Sequence, residues 1–145
     1  MFSDEYFMKQ ALIEAQKAKE KDEVPVGAVV VADNLIIARA HNLTETLNDV
    51  TAHAEMQVIT AATNTLGSKY LIDCSMYITL EPCVMCAGAL FWAQLSKLVY
   101  GANDPKRGYT LNPVPLLHPR TEVIKGILAN ESEILLKEFF MKKRI

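Results

Sequence analysis

The feature that most constrains the fold is a set of potential metal ligands split between two distant segments of the chain. His53 is followed two residues later by Glu55, while Cys83 and Cys86 form a Cys-x-x-Cys pattern. A histidine nitrogen and two cysteine sulfurs are ligands that zinc binds readily. A fold that uses all three must therefore bring the two segments to one point.

The number of ligands indicates a catalytic metal site and not a structural one. Three protein ligands leave one tetrahedral position for water, whereas a structural zinc takes a fourth cysteine or histidine. His41 and His118 stand singly and are predicted to be loop or surface histidines, and Cys74 heads a predicted strand and is predicted to be a core or edge residue. Glu55 is then the group that can move protons beside the metal.

Composition indicates one globular domain, residues 1–145, with half of its residues hydrophobic. No apolar run approaches the length of a membrane span, and the acidic N-terminus is unlike a secretory signal. We therefore expect a cytoplasmic protein without membrane contact. The three cysteines are an odd number, which in a reducing compartment favours metal or redox chemistry over a disulfide framework.

The charge is unevenly distributed, although the net charge is only -2. Residues 1–105 carry 7 Lys/Arg and 13 Asp/Glu, whereas residues 106–145 carry 8 and 4. The small net charge argues against a general nucleic-acid-binding protein, but the basic C-terminal quarter could meet phosphates. A solvated helix with a basic end would give the same pattern, so charge alone leaves both interpretations open.

The order of local patterns predicts an α/β fold. Helices are predicted at residues 4–21, 52–66, 82–94 and 131–142, and strands at 26–31, 35–40, 74–80, 97–101 and 121–125. This alternation favours helices on both faces of one sheet. Helices that begin at the same sheet edge have neighbouring N-termini, which is the usual place for a site in an α/β protein.

The helix starts have specific candidates. Pro82 is predicted to occupy the first position of its helix, and Asn130 is predicted to cap the last helix. His53 and both cysteines would then lie in first turns, where the helix dipole lowers a thiol pKa and favours the thiolate that zinc needs. Glu81, just before Pro82, could cap the helix or orient the metal ligands.

Two motifs carry a resemblance to a known family. His53-Ala54-Glu55 and Pro82–Cys86 match the H-x-E…P-C-x-x-C signature of the zinc-dependent cytidine/deoxycytidylate deaminase superfamily. With the flanking segments Glu23–Val29 and Thr79–Ala89, nearly the whole chain resembles the bacterial tRNA-specific adenosine deaminases. The resemblance implies a three-layer α/β/α sandwich with a five-stranded mixed sheet, a homodimer, and one Zn²⁺ per subunit.

The resemblance also implies a reaction, the hydrolytic deamination of the wobble adenosine of a tRNA to inosine. Glu55 would be the catalytic acid and base for an adenine flipped out of the anticodon loop. The ligands of the zinc ion would be His53, Cys83 and Cys86, and the contacts to the base and the anticodon loop would come from Asn42, Ala54, Asp104 and Lys106.

One region departs from the family pattern. Residues 109–121 lack the Asn-His pair that the family carries there, so no RNA contact is transferred to them. This difference keeps open an alternative, a deaminase of a free base or nucleoside such as guanine, cytosine or cytidine. A more distant alternative is a non-catalytic, zinc-stabilised RNA-binding protein, for which Glu55 would have no evident use.

The sequence gives one independent indication of a dimer. Leu90, Phe91 and Trp92 are adjacent in a predicted helix, so their side chains point in different directions. One face of a sheet cannot bury all three. Either a second subunit or a covering loop would shield the remainder.

Overall fold

The fold, seen in a computed structural model, is described for residues 1–143. Arg144, which contributes to the predicted basic C-terminus, and Ile145 lie outside the described residues. The elements in chain order are α1 Asp4–Glu20, β1 Gly27–Ala32, β2 Leu35–His41, α2 Ala54–Leu66, β3 Cys74–Leu80, α3 Val84–Ala93, β4 Lys97–Ala102, β5 Glu122–Lys125 and α4 Ala129–Lys143. A short 3₁₀ helix, Tyr109–Leu111, lies between β4 and β5.

The five strands form one mixed sheet in the order β2-β1-β3-β4-β5. Strand β1 is antiparallel to both of its neighbours, β2 and β3, whereas β3, β4 and β5 are mutually parallel. The predicted five-stranded mixed sheet is confirmed. Because β2 and β3 run in the same direction on either side of β1, the segments that follow them leave from the same sheet edge. Those segments lead into α2 and α3.

Helices cover both faces, which gives the predicted three layers. Alternate residues of β1 point to opposite sides: Ala28 and Val30 join the core beneath α2 and α3, while Val29 and Val31 pack against α1. Helix α4 contacts α1. Cys74, predicted to be a core or edge residue, lies in the core beneath α2 and α3. Across the described part of the chain, every helix is too short or too polar to span a membrane.

Local signals set several of the boundaries. The Ser3 side chain caps α1 by accepting a hydrogen bond from the Tyr6 amide at 3.1 Å. Gly67 ends α2 with φ of 66°, which glycine adopts without strain. Asp33 and Asn34 both have positive φ, as the tight turn of a twisted hairpin requires.

Two predicted helix starts are wrong at the motif residues. Helix α3 begins after Cys83, not at Pro82, and α2 begins after His53, not at Ala52. Both Cys83 and His53 are N-cap residues with extended backbone, so each stands just before its helix and not in the first turn. Apolar periodicity cannot separate a cap residue from the first helical residue, which explains the error.

Two further predictions are also wrong. Asn130 is the second residue of α4 and not its cap, because Leu128, with φ of 55°, turns the chain just before the helix. His41 is not a loop residue but the buried end of β2. Its Nδ1 lies 3.0 Å from Oε1 of Glu14, a buried carboxylate on α1, and this distant partner explains why a polar ring is tolerated there.

Candidate active site

His53, Cys83 and Cys86 meet at the sheet edge where α2 and α3 begin. The Nδ1 atom of His53 lies 3.7 Å from Sγ of Cys83 and 3.5 Å from Sγ of Cys86. All three potential ligand atoms lie within 4.8 Å of one another. The fold thus brings the two distant segments to one point with their N and S atoms facing each other.

The separations fit a tetrahedral zinc ion. Zn–N bonds of about 2.0–2.1 Å and Zn–S bonds of about 2.3 Å place nitrogen and sulfur about 3.5 Å apart at a tetrahedral angle. The two N···S distances, 3.5 and 3.7 Å, are close to this value. Within residues 1–143, no fourth His, Cys, Asp or Glu joins the group. The donor set therefore suits a zinc ion with one position left for a small molecule.

Hydrogen bonding prepares the cysteines for a cation. The Cys86 thiol donates to Cys83 and, together with the neighbouring His53, lowers the pKa of Cys83 to about 3 despite burial. The same bond raises the pKa of Cys86, because that thiol holds the shared proton. Cys83 likewise raises the pKa of His53. One thiolate is ready for a metal, and a bound cation would replace the shared proton.

Glu55 lies beside this cluster in the first turn of α2, and only 4% of its surface is exposed. Burial is the main cause that raises the pKa of its carboxyl group to about 7. A carboxyl group that titrates near neutrality can both accept and return a proton during a reaction. The position and the near-neutral pKa of Glu55 therefore suit a residue that acts as both acid and base beside the His53–Cys83–Cys86 cluster.

Asn42 stands at the base of the loop that ends in His53. The Leu43 amide donates to the Ala52 carbonyl at 3.0 Å, which closes this loop, and the Asn42 amide donates to Val26. Asn42 is 7% exposed, and among the described residues its Oδ1 has no hydrogen-bond partner. A buried acceptor without a partner is costly, so a ligand that donates to it would be favoured.

Ala54 is the first residue of α2 and is completely buried between His53 and Glu55. Its backbone therefore lies where the two chemical groups of this motif meet.

Asp104 and Lys106 lie in the turn after β4, outside the metal cluster. Oδ1 of Asp104 accepts hydrogen bonds from the amides of Lys106 and Arg107, each at 3.0 Å, so this carboxylate shapes the turn. The side chain of Lys106 is exposed. The turn is nevertheless close to the motif, because the Tyr109 amide donates to the Pro82 carbonyl at 2.9 Å.

Sequence reasoning missed the part that Glu81 plays. This side chain is 3% exposed and accepts hydrogen bonds from Asp104 and Thr110, not from the start of α3. A charged residue directly before the Pro-Cys motif was the available signal. Its partners lie more than 20 residues away, as the separations of 23 and 29 show, so local pattern could not identify them.

A second missed carboxylate, Glu23, is completely buried. It accepts hydrogen bonds from the amides of Glu45 and Thr46, at 3.1 and 2.7 Å, and from the Thr46 hydroxyl. Glu23 therefore holds the loop before the His53 motif, much as Glu81 holds the turn after β4.

Comparisons with known proteins show which families this chain resembles. A family described as MafB19-like deaminase matches residues 2–144. The tRNA-specific adenosine deaminase of Agrobacterium fabrum is 47% identical over 145 residues, 97% of this chain and 95% of the relative. A solved structure from work on A-to-I editing by tRNA:A34 deaminases at the wobble position has a TM-score of 0.85 and 46% identity, covering 90% of this chain and 99% of that one. The guanine deaminase of Bacillus subtilis has a TM-score of 0.67 and 40% identity, over 70% of this chain and 66% of its own.

Proposed function

The chain belongs to the family of tRNA-specific adenosine deaminases, and from this premise we propose that it converts adenosine to inosine at the wobble position of a tRNA in the cytoplasm. The observation that carries the proposal is the match along almost the full length of both chains, at 47% identity. The similarity to the guanine deaminase covers less, 70% of this chain and 66% of that one. We therefore prefer the tRNA substrate to a free base.

The metal in this proposal is one Zn²⁺ per subunit, held by His53, Cys83 and Cys86. Their N···S distances and the absence of a fourth donor in the described cluster support this assignment. When bound, zinc would lower the pKa of a water molecule so that hydroxide is available near neutral pH.

Glu55 performs the proton transfers in the proposed mechanism. Its carboxylate accepts a proton from the attacking water, and the carboxylic acid then donates to N1 of the adenine ring. A bond forms between the water oxygen and C6. Glu55, again a carboxylate, then takes the remaining proton of the new C6 hydroxyl and donates it to the amino nitrogen. The bond from C6 to that nitrogen breaks, and the amine leaves as ammonia. The near-neutral pKa of the buried Glu55 supports both directions of transfer.

Substrate contacts in the proposal come from two places. The base, flipped out of the anticodon loop, is received by the backbone at Ala54 and by Oδ1 of Asn42, which has no hydrogen-bond partner among residues 1–143. The turn that contains Asp104 and Lys106 meets the anticodon loop, where the lysine contributes a positive charge near the phosphates.

The decisive experiment is inosine formation at the wobble position of an arginine tRNA with an ACG anticodon, using zinc-loaded protein. We expect conversion of this tRNA and none of a matched tRNA with a GCG anticodon, which lacks the target amino group. Absence of inosine with a folded, zinc-loaded protein would reject the function. Faster ammonia release from guanine, cytosine or cytidine than from tRNA would favour the alternative substrate class.

We also propose that the chain forms a homodimer through α3. Leu90 is buried within the subunit, but Trp92 is 76% exposed and Phe91 is only partly covered, by contact with His118 in the loop before β5. The covering loop therefore shields Phe91 in part and leaves Trp92 open. A large exposed aromatic beside another is typical of an interface.

Trp92→Glu is expected to convert the dimer to a monomer, because a charge would be buried at the interface. Light scattering should give half the wild-type mass, with an unchanged circular dichroism spectrum. Leu35→Glu is the matched control: Leu35 is exposed at the edge strand β2, so this variant should remain dimeric. A wild-type mass of one subunit would remove the dimer proposal.

A further inference from the structure

The turn after β4 is held at both ends by a single carboxylate. Oε1 of Glu81 accepts a hydrogen bond from the amide of Asp104 at 3.0 Å. Oε2 accepts from the amide of Thr110 at 3.0 Å and from its hydroxyl at 2.6 Å. We call residues 104–110 the basic turn. Glu81 therefore binds both its first residue, Asp104, and its last residue, Thr110.

Glycine allows the basic turn to lie directly on this carboxylate. A Cβ atom at Gly108 would stand 2.3 Å from both Cδ and Oε2 of Glu81, far inside van der Waals contact. The Gly108 amide donates to the Asp104 carbonyl at 3.0 Å, which tightens the turn further. The turn and the carboxylate are thus packed against each other with no space for a side chain between them.

The basic turn is also attached to the segment that supplies a metal ligand. Gly108 pairs with Cys83 in an isolated antiparallel bridge, and the Tyr109 amide donates to the Pro82 carbonyl at 2.9 Å. Lys106 and Arg107, by contrast, have exposed side chains. The turn therefore presents two positive charges at a fixed place beside the candidate metal site.

We propose that Glu81 is a positioning residue for RNA binding: it holds the basic turn so that Lys106 and Arg107 meet the backbone of the anticodon loop. The inference rests on the proposed function. The hydrogen bonds of Glu81 go to both ends of the turn and not to His53, Cys83 or Cys86, which separates this role from orientation of the metal ligands. Preorganised charges of this kind lower the cost of ordering a binding loop.

Glu81→Gln tests the inference with little change of volume. A glutamine amide has one acceptor oxygen and directs an NH₂ group toward donors, so it cannot satisfy both ends of the turn. We expect trypsin to cleave after Lys106 or Arg107 at least about fivefold faster than in the wild type, since loss of bonds to a charged acceptor opens the turn. An unchanged cleavage rate, followed by mass spectrometry, would overturn the inference.

Glu23→Gln is the matched control for general loss of stability. Glu23 is equally buried and also accepts three hydrogen bonds from one loop, but at residues 45–46. Trypsin should cleave this variant after Lys106 and Arg107 at the wild-type rate. Equal acceleration in both variants would indicate global unfolding and would count against a specific role for Glu81.

Kinetics with an anticodon stem-loop RNA separate positioning of RNA from support of the metal. For Glu81→Gln we expect KM to rise by about fivefold or more, with kcat within about twofold and zinc content unchanged. A fall in kcat with loss of zinc would overturn the inference. If the wild type forms no inosine, the proposed function fails and the RNA role fails with it, while the cleavage rates still show whether Glu81 holds the turn.

Thr110→Val provides a second variant in case Glu81→Gln does not fold. It removes the hydroxyl bond of an exposed residue and leaves the backbone bond in place. Faster cleavage and a higher KM are expected, smaller than for Glu81→Gln, and Thr110→Ser should restore both. Wild-type behaviour of Thr110→Val, or no rescue by Thr110→Ser, would contradict the inference.

Discussion

Glu55→Gln is expected to lower kcat for inosine formation by about 10³-fold or more while the protein keeps its zinc and its fold. Glutamine has nearly the same shape but cannot carry the proton between water, ring nitrogen and amine, and general acid and base catalysis contributes about 10²–10⁴-fold. The buried carboxyl group has a pKa of about 7 because burial disfavours its charge. A neutral amide removes that desolvation cost, so we expect no loss of thermal stability.

Single-turnover deamination, zinc content and thermal melting together check this prediction. Glu131→Gln is the matched control, because Glu131 also lies in the first turn of a helix but is exposed and remote from the cluster. It should retain wild-type kcat. A kcat for Glu55→Gln within tenfold of the wild type would assign the proton transfers to another group.

Cys86→Ala is expected to lose zinc and, with it, essentially all deaminase activity. Cys86 is fully buried, and its Sγ lies 3.5 Å from Nδ1 of His53, so two donors alone would remain at the site. Metal ligands also support folding, because the free energy of metal binding adds to the stability of the folded state. We expect a zinc content near zero, against the one zinc per subunit proposed for the wild type, and a lower melting temperature.

Cys74→Ala separates loss of metal from loss of packing. Cys74 is also buried, but it lies at the start of β3 in the core and outside the cluster. This variant should lose some stability, on the order of 1 kcal/mol for a small truncation in the core, and should keep its zinc and its kcat. Zinc retained at wild-type affinity by Cys86→Ala would show that the ligand set is wrong.

Proton release gives a further check on the cysteine pair. The hydrogen bond between the thiols lowers the pKa of Cys83 and raises that of Cys86, so we expect Cys86 to keep its proton when no metal is bound. Addition of zinc in weak buffer should therefore release protons, because the metal replaces the proton of the Cys86 thiol. Cys86→Ala should release fewer protons than the wild type.

Elements with strong local signals are those that the sequence predicted well. Strand β3 was placed at residues 74–80, the bounds that the structure has, because an uninterrupted β-favouring run ends at a charged residue and a proline. The strands predicted at residues 26–31 and 35–40 pair around a turn at Asp33 and Asn34, and the helix predicted to end at residue 66 does so, just before Gly67. In each case the backbone conformation depends on the residues at the position itself.

Predictions failed where the outcome depends on a distant partner or on one residue of register. His41 was expected in a loop, but it is buried at the end of β2, where its ring nitrogen lies 3.0 Å from the carboxylate of Glu14 on α1. Pro82 was expected to start α3, but the backbone stays extended through Cys83. Periodicity describes which side of an element is apolar and is insensitive to the residue at which a helix begins.

The sequence by itself determined the chemistry of the site. The types of donor at His53, Cys83 and Cys86, together with the nearby Glu55, indicate zinc-assisted hydrolysis, because ligand preference and acid-base capacity are properties of the side chains. Only the tertiary structure decided the geometry. The N···S distances of 3.5 and 3.7 Å, the burial of Glu55 and the attachment of the basic turn to Glu81 arise because β2 and β3 run in the same direction around β1 and deliver two helix starts to one sheet edge.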